Sequence, residues 1–478
     1  MNNLWIPRIT FLWLACLPTT SLLAQSEPAQ QPPNILFVFA DDLAFDCVQS
    51  SGNHEIRTPN LDAMAKQGVT FTHAYNMGAW TGAVCISSRT MLNTGRFLWR
   101  AERLKKELRT EWVKEEKLWS QRLHQAGYQT YMTGKWHIPV DANKVFDTAR
   151  HIRPGMPKQT DSGYHRPKSP DDKDWLPWDA SKGGFWEGGK HWSEVVADDA
   201  IDFLHTAKND IKPFFMYIAF NAPHDPRQSP QSYVDSYPLD KISLPKPFVE
   251  DYPYPIGCNR IRDEILAPFP RTPHNVKVNR QEYYAIIEHL DDQIGRIWDA
   301  LEKSGKADNT YICFTADHGL AVGHHGLMGK QNMYDHSVRV PFFMKGPGID
   351  SGERLQAPIY IQDIMPTSLE LAGASLQGID FKSLLPMIRG ETNQSYESIY
   401  GAYTTHQRMI THDHHKLIVY PQINKMRLFD LNSDPWEEHD LIDQPDKQSL
   451  VTELHGRLEK LQIEMEDTLP LETAPKQP

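Results

Sequence analysis

The sequence predicts an α/β fold: a large, mostly parallel sheet covered by helices on both faces, followed by a small antiparallel α+β subdomain. Three observations carry this expectation. Four continuous apolar runs alternate with amphipathic helical segments, as a parallel sheet with crossover helices requires. Each run ends in polar residues able to do chemistry, where open α/β sheets place their ligands. After about residue 380 the pattern changes to two short strand-like runs and one closing helix.

The elements follow in order. Arg8, the apolar stretch 9–17, Pro18 and then Ser21-Leu22-Leu23-Ala24 have the layout of a secretory leader over residues 1–24. Pro18 and Thr19-Thr20-Ser21 stop the run short of the ~20 apolar residues of a membrane span. An exported protein, periplasmic or extracellular, is the expectation, with residues 25–33 as a proline-marked linker. A main domain over 34–380 and a C-terminal subdomain over 381–478 complete the expected division.

Within the main domain, run 35–40 leads into Asp41-Asp42 and run 128–133 into Gly134-Lys135-Trp136-His137. Run 214–220 leads into Asn221-Ala222-Pro223-His224, and run 311–314 into Thr315-Ala316-Asp317-His318-Gly319. A fifth run, 340–344, ends at Lys345. Uninterrupted apolar runs of this length suit strands buried on both faces. The clearest helix starts at Asn279, with Glu282 completing a capping-box pattern and Gly305 as its stop. Its apolar stripe includes Tyr283, Ile286, Ile287, Leu290, Ile294 and Ile297. Further helices are expected over 59–67, 111–126, 193–208 and 364–372. Strands over 416–420 and 426–430 and a helix over 449–466 are expected in the C-terminal subdomain. Two insertions interrupt the alternation: 161–192, with Trp175, Trp178, Trp186 and Trp192, and the proline-dense 223–273. Connections this long often form binding loops, and the tryptophans suit either sugar stacking or simple loop packing.

Composition narrows the function. The chain has 478 residues, 40% of them hydrophobic, and 50 Lys+Arg against 61 Asp+Glu give a net charge of −11. An acidic chain without a polybasic run does not bind nucleic acid or an anionic membrane by bulk charge. Beyond Cys16 in the leader, Cys47, Cys85, Cys258 and Cys313 are too few for a disulfide scaffold. The absence of any C-x-x-C pair excludes a zinc ribbon.

The chemistry lies at the ends of the runs. Asp41 and Asp42 are adjacent carboxylates, and Asp317-His318 occupies the equivalent place on another strand. Carboxylates so crowded repel unless a cation offsets them, which suits a hard divalent metal. Cys85 and Arg89 are one helical turn apart, so the guanidinium is aimed at the point held by the sulfur. His324-His325, His412, His414 and His415 form clusters suited at most to a pocket rim, and Met328 and Met333 read as packing.

These residues resemble a known family. Cys85, Ser88 and Arg89, followed by Thr94-Gly95-Arg96, match the C-x-P-S-R and T-G-R signature of the formylglycine-dependent (type I) sulfatases. Asp41-Asp42, Gly134-Lys135-Trp136-His137, Ala222-Pro223-His224, Thr315 to Gly319 and Gly329-Lys330 are similar to that family's other landmarks, in the family's order. Phe429-Asp430-Leu431 with Asp434-Pro435-Trp436-Glu437 resembles its C-terminal signature.

The resemblance implies the alkaline-phosphatase-like α/β/α sandwich. It also implies that a maturation enzyme oxidises Cys85 to formylglycine (3-oxoalanine), whose hydrate attacks sulfur and later expels sulfate. It implies one Ca²⁺ per chain, held by Asp41, Asp42, residue 85, Asp317 and His318. Arg89 would fix the nucleophile, Lys135 and Lys330 would neutralise the sulfuryl oxygens, His137 would be the base and His224 the acid. Three positions depart from the family's usual pattern: Ser87 for Pro or Ala, Asn93 for Leu, and His318 for Asn. A nitrogen donor at 318 also admits zinc or manganese. The implied substrate is a sulfate ester, first of all a sulfated saccharide. The alternatives are a phosphodiesterase or phosphonate hydrolase of the same superfamily, or a carbohydrate-binding pseudoenzyme if Cys85 is not matured.

Overall fold

The computed structural model describes residues 1–2, 4, 31–155, 161–185, 189–225 and 227–471. Most of the expected leader and linker, and Trp186 of the first insertion, lie outside the described residues. Among the described residues no helix is long and apolar enough to cross a membrane.

The eight-stranded main sheet runs in the order β11 (Glu353–Leu355), β2 (Val69–Phe71), β10 (Phe342–Lys345), β8 (Thr310–Ala316), β1 (Asn34–Asp41), β7 (Phe214–Pro223), β5 (Gln129–Lys135) and β6 (Thr148–Arg153). The five strands from β8 to β6 are mutually parallel, and β10 is antiparallel to both its neighbours. Every residue of β1 and of β7 is buried, because helices cover both faces of the sheet. Two smaller sheets accompany it. One joins β12 (Ile359–Tyr360), β3 (Ala74–Tyr75) and β9 (Arg339–Val340). The other joins β16 (Lys425–Asp430), β15 (His415–Tyr420), β14 (Gln407–His412), β13 (Ser398–Tyr403) and β4 (Gly78–Ala79). The last sheet is antiparallel except that β4, far upstream in the chain, pairs with β13 in parallel. The described residues from Pro33 onward form one compact unit.

Several expectations are corrected. The long helix starts at Pro273, not Asn279: Thr272 caps it, its side chain accepting from the Asn275 N–H at 3.2 Å. Proline is well placed in a first helical turn, so Thr272-Pro273 outcompetes the downstream capping box. Glu282 is instead buried against Arg166, and Asn279 Oδ1 accepts from Arg227 at 3.0 Å. The helix expected over 111–126 is broken into a π-type turn Leu108–Trp112 and the helix Trp119–Gln125, with Glu116 at φ 52° between them. The run 340–344 is split by Pro341, which has no N–H for a ladder, so β9 and β10 belong to different sheets. The other helices and strands begin and end within about two residues of the expected positions. Trp175 and Trp192 are buried, and Trp178 packs on the core, so these three serve loop packing. Met328 and Met333 are buried packing residues.

Candidate active site

Because β8, β1, β7 and β5 are adjacent and parallel, their carboxyl ends open on one side of the sheet. Asp41 closes β1 and Asp42 follows it at φ 69°, a left-handed conformation uncommon for a residue with a side chain. That turn directs the Asp42 N–H to Asp317 Oδ1 at 3.2 Å, tying the ends of β1 and β8 together. Lys135 closes β5 after a bulge at Gly134, whose φ is 90°; a Cβ there would collide with the Ala219 carbonyl. His224 follows β7, and His137 sits just past β5 at φ 57°.

The helix Val84–Thr94 brings Cys85 and Arg89 to the same place on one face, and Gly95 terminates it in the left-handed region. A Cβ at Gly95 would meet Met365 Sδ at 2.9 Å, so glycine there serves packing as well as the turn. Arg89 donates from Nε to Asp317 Oδ2 at 3.1 Å and from Nη1 to the Lys135 carbonyl at 2.7 Å. Its Nη2 also lies 3.6 Å from Asp41 Oδ1, so Arg89 locks three strand ends to the helix that carries Cys85.

Around Cys85 Sγ the groups are dense. His318 Nε2 lies 3.3 Å away, Lys330 Nζ 3.5 Å and Asp42 Oδ1 4.0 Å, and His137 hydrogen-bonds the sulfur. One donor atom from each of Asp41, Asp42, Cys85, Asp317 and His318 falls within 4.8 Å of all the others, and all five residues are buried. Lys135 is ion-paired to Asp41, and Lys330 donates to both oxygens of Asp42 at 2.9 and 2.8 Å. All ten residues expected from the sequence are thus assembled, with His137 and His224 facing the same cavity as Cys85 and Lys330. That cavity has a volume of about 290 Å³.

Electrostatics follow from the crowding. Burial, then the charges of Asp41 and Cys85, push the Asp317 carboxyl up to about 7 despite Arg89 and His318. Burial likewise raises Asp42, against His224, Lys330 and His318. Asp41 falls to about 2: burial opposes this, but Lys135, His224 and Arg89 together outweigh it. The Cys85 thiol drops well below its ordinary value, since Lys135, Lys330 and His318 overcome the cost of burial. His224 rises to about 10, burial being outweighed mainly by Asp42 and Asp225. The site is a low-dielectric cluster in which each carboxylate has a cation beside it, yet burial and like charges still crowd the acids and Asp41 Oδ1 lacks a hydrogen-bond partner. Such a donor set, three carboxylates, a sulfur or oxygen at 85 and one imidazole, fits a divalent cation.

The sequence reading missed Asp225, whose carboxylate lies 2.8 Å from His224 Nδ1, and the cavity walls Arg262, Asp263, Gln331 and Tyr403. Asp225 and Gln331 were visible as the neighbours of His224 and Lys330, and Arg262 and Asp263 lie in the proline-dense insertion; Tyr403 comes from a distant segment and carries no local signal.

Residues 33–374 match the family model described as Sulfatase. The chain belongs to the sulfatase family. Residues 323–464 of this sulfatase also match the model described as N-sulphoglucosamine sulphohydrolase, C-terminal. It is 30% identical over 474 residues to an arylsulfatase of Clostridium perfringens, spanning 89% of this chain and 95% of that protein. It is 26% identical over 544 residues to an N-acetylglucosamine-6-O-sulfatase of Bacteroides thetaiotaomicron, spanning 97% and 92%. Among solved structures it is similar to one bound to its substrate D-glucosamine-2-N,6-O-disulfate, with a TM-score of 0.70, 22% identity and coverage of 93% and 100%. A phosphonate monoester hydrolase of Agrobacterium radiobacter is equally similar, with a TM-score of 0.70, 20% identity and coverage of 91% and 96%. The fold of this sulfatase is therefore the expected alkaline-phosphatase-like one, and it does not by itself separate sulfate from phosphonate chemistry.

Proposed function

We propose that this sulfatase is an exported enzyme that hydrolyses sulfate esters of saccharides through residue 85, matured to formylglycine beside a divalent metal. The observation that carries the reading is Cys85 at the wall of a small cavity, ringed by Asp41, Asp42, Asp317 and His318 within 4.8 Å. A bound divalent cation would offset the three carboxylates and polarise the sulfate. Asp41, Asp42, Asp317 and His318 would hold it, with Ca²⁺ favoured by the oxygen-rich donor set.

The chain's own residues account for the remaining steps. The Sγ position of Cys85 marks where the nucleophilic hydroxyl of the matured residue would stand. Lys135 and Lys330 place two ammonium groups beside it, preorganised for the charge on the sulfuryl oxygens. Asp42 and Asp225 favour the protonated form of His224, and Asp225 orients Nδ1. Once the Lys330 ammonium, 3.0 Å from Nε2, turns onto the substrate sulfate, Nε2 suits delivery of a proton to the leaving alcohol oxygen. His137, lowered by burial and by Lys135, is a neutral acceptor beside residue 85 and suits removal of the proton that frees sulfate. Across the cycle, ester and water become alcohol, sulfate and one proton.

Saccharides are favoured by the relatives: one is named for N-acetylglucosamine 6-O-sulfate, and one solved structure holds a sulfated glucosamine. A cavity of about 290 Å³ lies at the small end of ligand pockets and suits one sugar ring with its sulfate. The rival phosphoryl reading is disfavoured by Lys330. Its ammonium stands 3.0 Å from His224 Nε2 and 2.8 Å from Asp42, the place a second metal would need. Export rests on the basic and apolar layout of residues 1–24.

Two measurements test this reading. Mass spectrometry of the tryptic peptide ending at Arg89 should find residue 85 as formylglycine in active protein. An unmodified thiol in active protein would overturn the formylglycine mechanism, and one in inactive protein would leave a carbohydrate-binding pseudoenzyme. Chelation should abolish sulfate release and Ca²⁺ should restore it. Restoration by zinc alone, or faster turnover of phosphonate esters, would overturn the assignment.

A further inference from the structure

A second and larger cavity, about 520 Å³, shares no wall residue with the first. Two features singled out in the sequence meet there: the proline-dense insertion contributes Leu244, Pro245 and Lys246, and the histidine pair contributes His324. The C-terminal turn adds Trp436, which stacks on Phe45 at 6.0 Å between ring centres. The floor includes Arg280, from the long helix Pro273–Ser304.

The charges in this cavity are unevenly matched. Asp46 is paired with His324, whose Nε2 lies 3.4 Å from Asp46 Oδ2. Glu55 accepts from the Ser243 N–H at 3.0 Å and from the Tyr284 hydroxyl at 3.4 Å. Arg339 is bound by Asp335 at 3.3 Å and by the Thr72 carbonyl at 2.8 Å. Arg280 is different. It is only 7% exposed, yet among the described residues no carboxylate lies within 4.0 Å of its guanidinium; Nη2 reaches the Tyr284 hydroxyl, and Nε has no partner. Asp46 and Glu55 on the same wall stabilise its charge from beyond ion-pair distance, and its unpartnered Nε leaves a donor for an anion supplied from outside. Lys246, at the rim and exposed, also has no carboxylate partner among the described residues. Two cations without a direct ion pair, framed by Phe45, Trp436, Leu244 and Pro245, match the two-sided chemistry of an anionic sugar ring.

We propose that this cavity is a second saccharide-binding site that takes an anionic sugar unit, its sulfate or carboxylate held by Arg280 and Lys246 and its ring set against Phe45 and Trp436. The inference rests on the reading of the substrate as a sulfated saccharide and adds to it that the enzyme grips a polymer at two points. The connection is rigid: Tyr283, next to Tyr284 on the same helix, hydrogen-bonds the Asp42 carbonyl, so one helix supports both cavities.

The test uses the full chain carrying Cys85→Ala, which cannot turn over, and measures binding of size-defined hexasaccharides of chondroitin sulfate, heparan sulfate and a sulfated galactan by calorimetry. At least one should bind. Lys246→Ala at the surface with Trp436→Ala, a half-buried ring stacked on Phe45 and His324, should weaken it by about fivefold per side chain, with melting as the folding control. In the mature enzyme the same pair should raise KM for the polymer while leaving kcat and KM for a small aryl sulfate within twofold. Arg280→Gln should weaken binding further, with thermal melting as its folding control. If that variant fails to fold, the double variant still decides. Absence of binding by all three hexasaccharides, or affinity unchanged in the double variant, overturns the second site. Loss of binding in the double variant together with no sulfate release from the mature enzyme would instead leave the second site standing and overturn the sulfatase reading.

Discussion

Two buried ionic clusters in this molecule solve opposite problems. In the C-terminal half, Arg408 meets Asp467 through two parallel bonds, at 2.6 and 2.9 Å, and Tyr400 adds a third donor to the same carboxylate at 2.8 Å. One cation faces one anion, and Asp467 is accordingly held below its ordinary range, burial being outweighed by Arg408 and Gln462. At the strand ends, three carboxylates, two lysines, an arginine, three histidines and a cysteine share one small volume, and several carboxyls are driven up rather than down. The first cluster is matched and stabilises the fold. The second is mismatched in degree and not in number. Asp41, Asp42 and Asp317 each have a cation, yet burial and crowding drive two of them up, and the site suits groups from outside, a cation for the acids and an anion for the lysines. Mismatch of this kind is where function is stored.

The comparison can be broken in several ways, taken from the largest expected effect. Cys85→Ala should lower sulfate release by at least about a thousandfold, since it removes the covalent nucleophile. The circular dichroism spectrum and melting temperature should be unchanged, and retained turnover would show that residue 85 is not the centre of the mismatched cluster. Asp467→Ala should do the reverse. It leaves Arg408 buried without its anion and should cost about 3–5 kcal/mol in denaturant unfolding, while activity per folded molecule stays the same. Replacing both partners by apolar residues should recover most of that loss.

A finer cut is Asp225→Asn, which removes the charge that orients His224 while keeping its shape. We expect kcat to fall by about 10- to 100-fold with KM little changed, and slow substrates with poor leaving groups to suffer most. An equal loss for good and poor leaving groups would mean that Asp225 holds the loop and not the proton.

The smallest effect concerns pH. His73 is lowered to about 4 by burial and by Arg339, so it is neutral in the folded protein. Its unfolded value is near 6.5, so the unfolded chain binds the extra proton first as pH falls. Its contribution is complete above about pH 6.5 and is lost progressively toward pH 4, about 3 kcal/mol in all. His325 and His336 are also buried and lowered, burial being the main cause in each, and act in the same sense. His73→Gln should flatten the acid limb of the melting temperature plotted against pH. A limb of unchanged slope would assign acid sensitivity to the other two.

Much of the catalytic cluster was legible because its residues sit at the ends of apolar runs. A run buried on both faces must be a strand, parallel strands open at one end, and Asp41, Asp42, Lys135, His224 and Asp317 stand there by counting alone. The long helix was legible in its stripe but not in its start, since two competing caps, Thr272 and Asn279, lay seven residues apart and local pattern does not rank them. The Trp-rich insertion could be read two ways because exposure is a property of the folded loop; Trp175 and Trp192 turned inward. Asp263 reaches the first cavity from the proline-dense insertion, but Tyr403 comes from a segment more than a hundred residues further on, and nothing near it in the chain announces it.

The sequence by itself determined the sheet, the order of its strands' polar ends and the residue types at the reacting centre, because periodicity and composition act locally. Tertiary structure decided which charges are matched and which are not. Whether Arg280 finds a carboxylate, or Asp41 and Asp42 find a lysine each, depends on distances between strands and loops that no spacing along the chain encodes. Coulomb energy in a buried site changes several-fold with burial and with each neighbour, and those neighbours are assembled only by the fold.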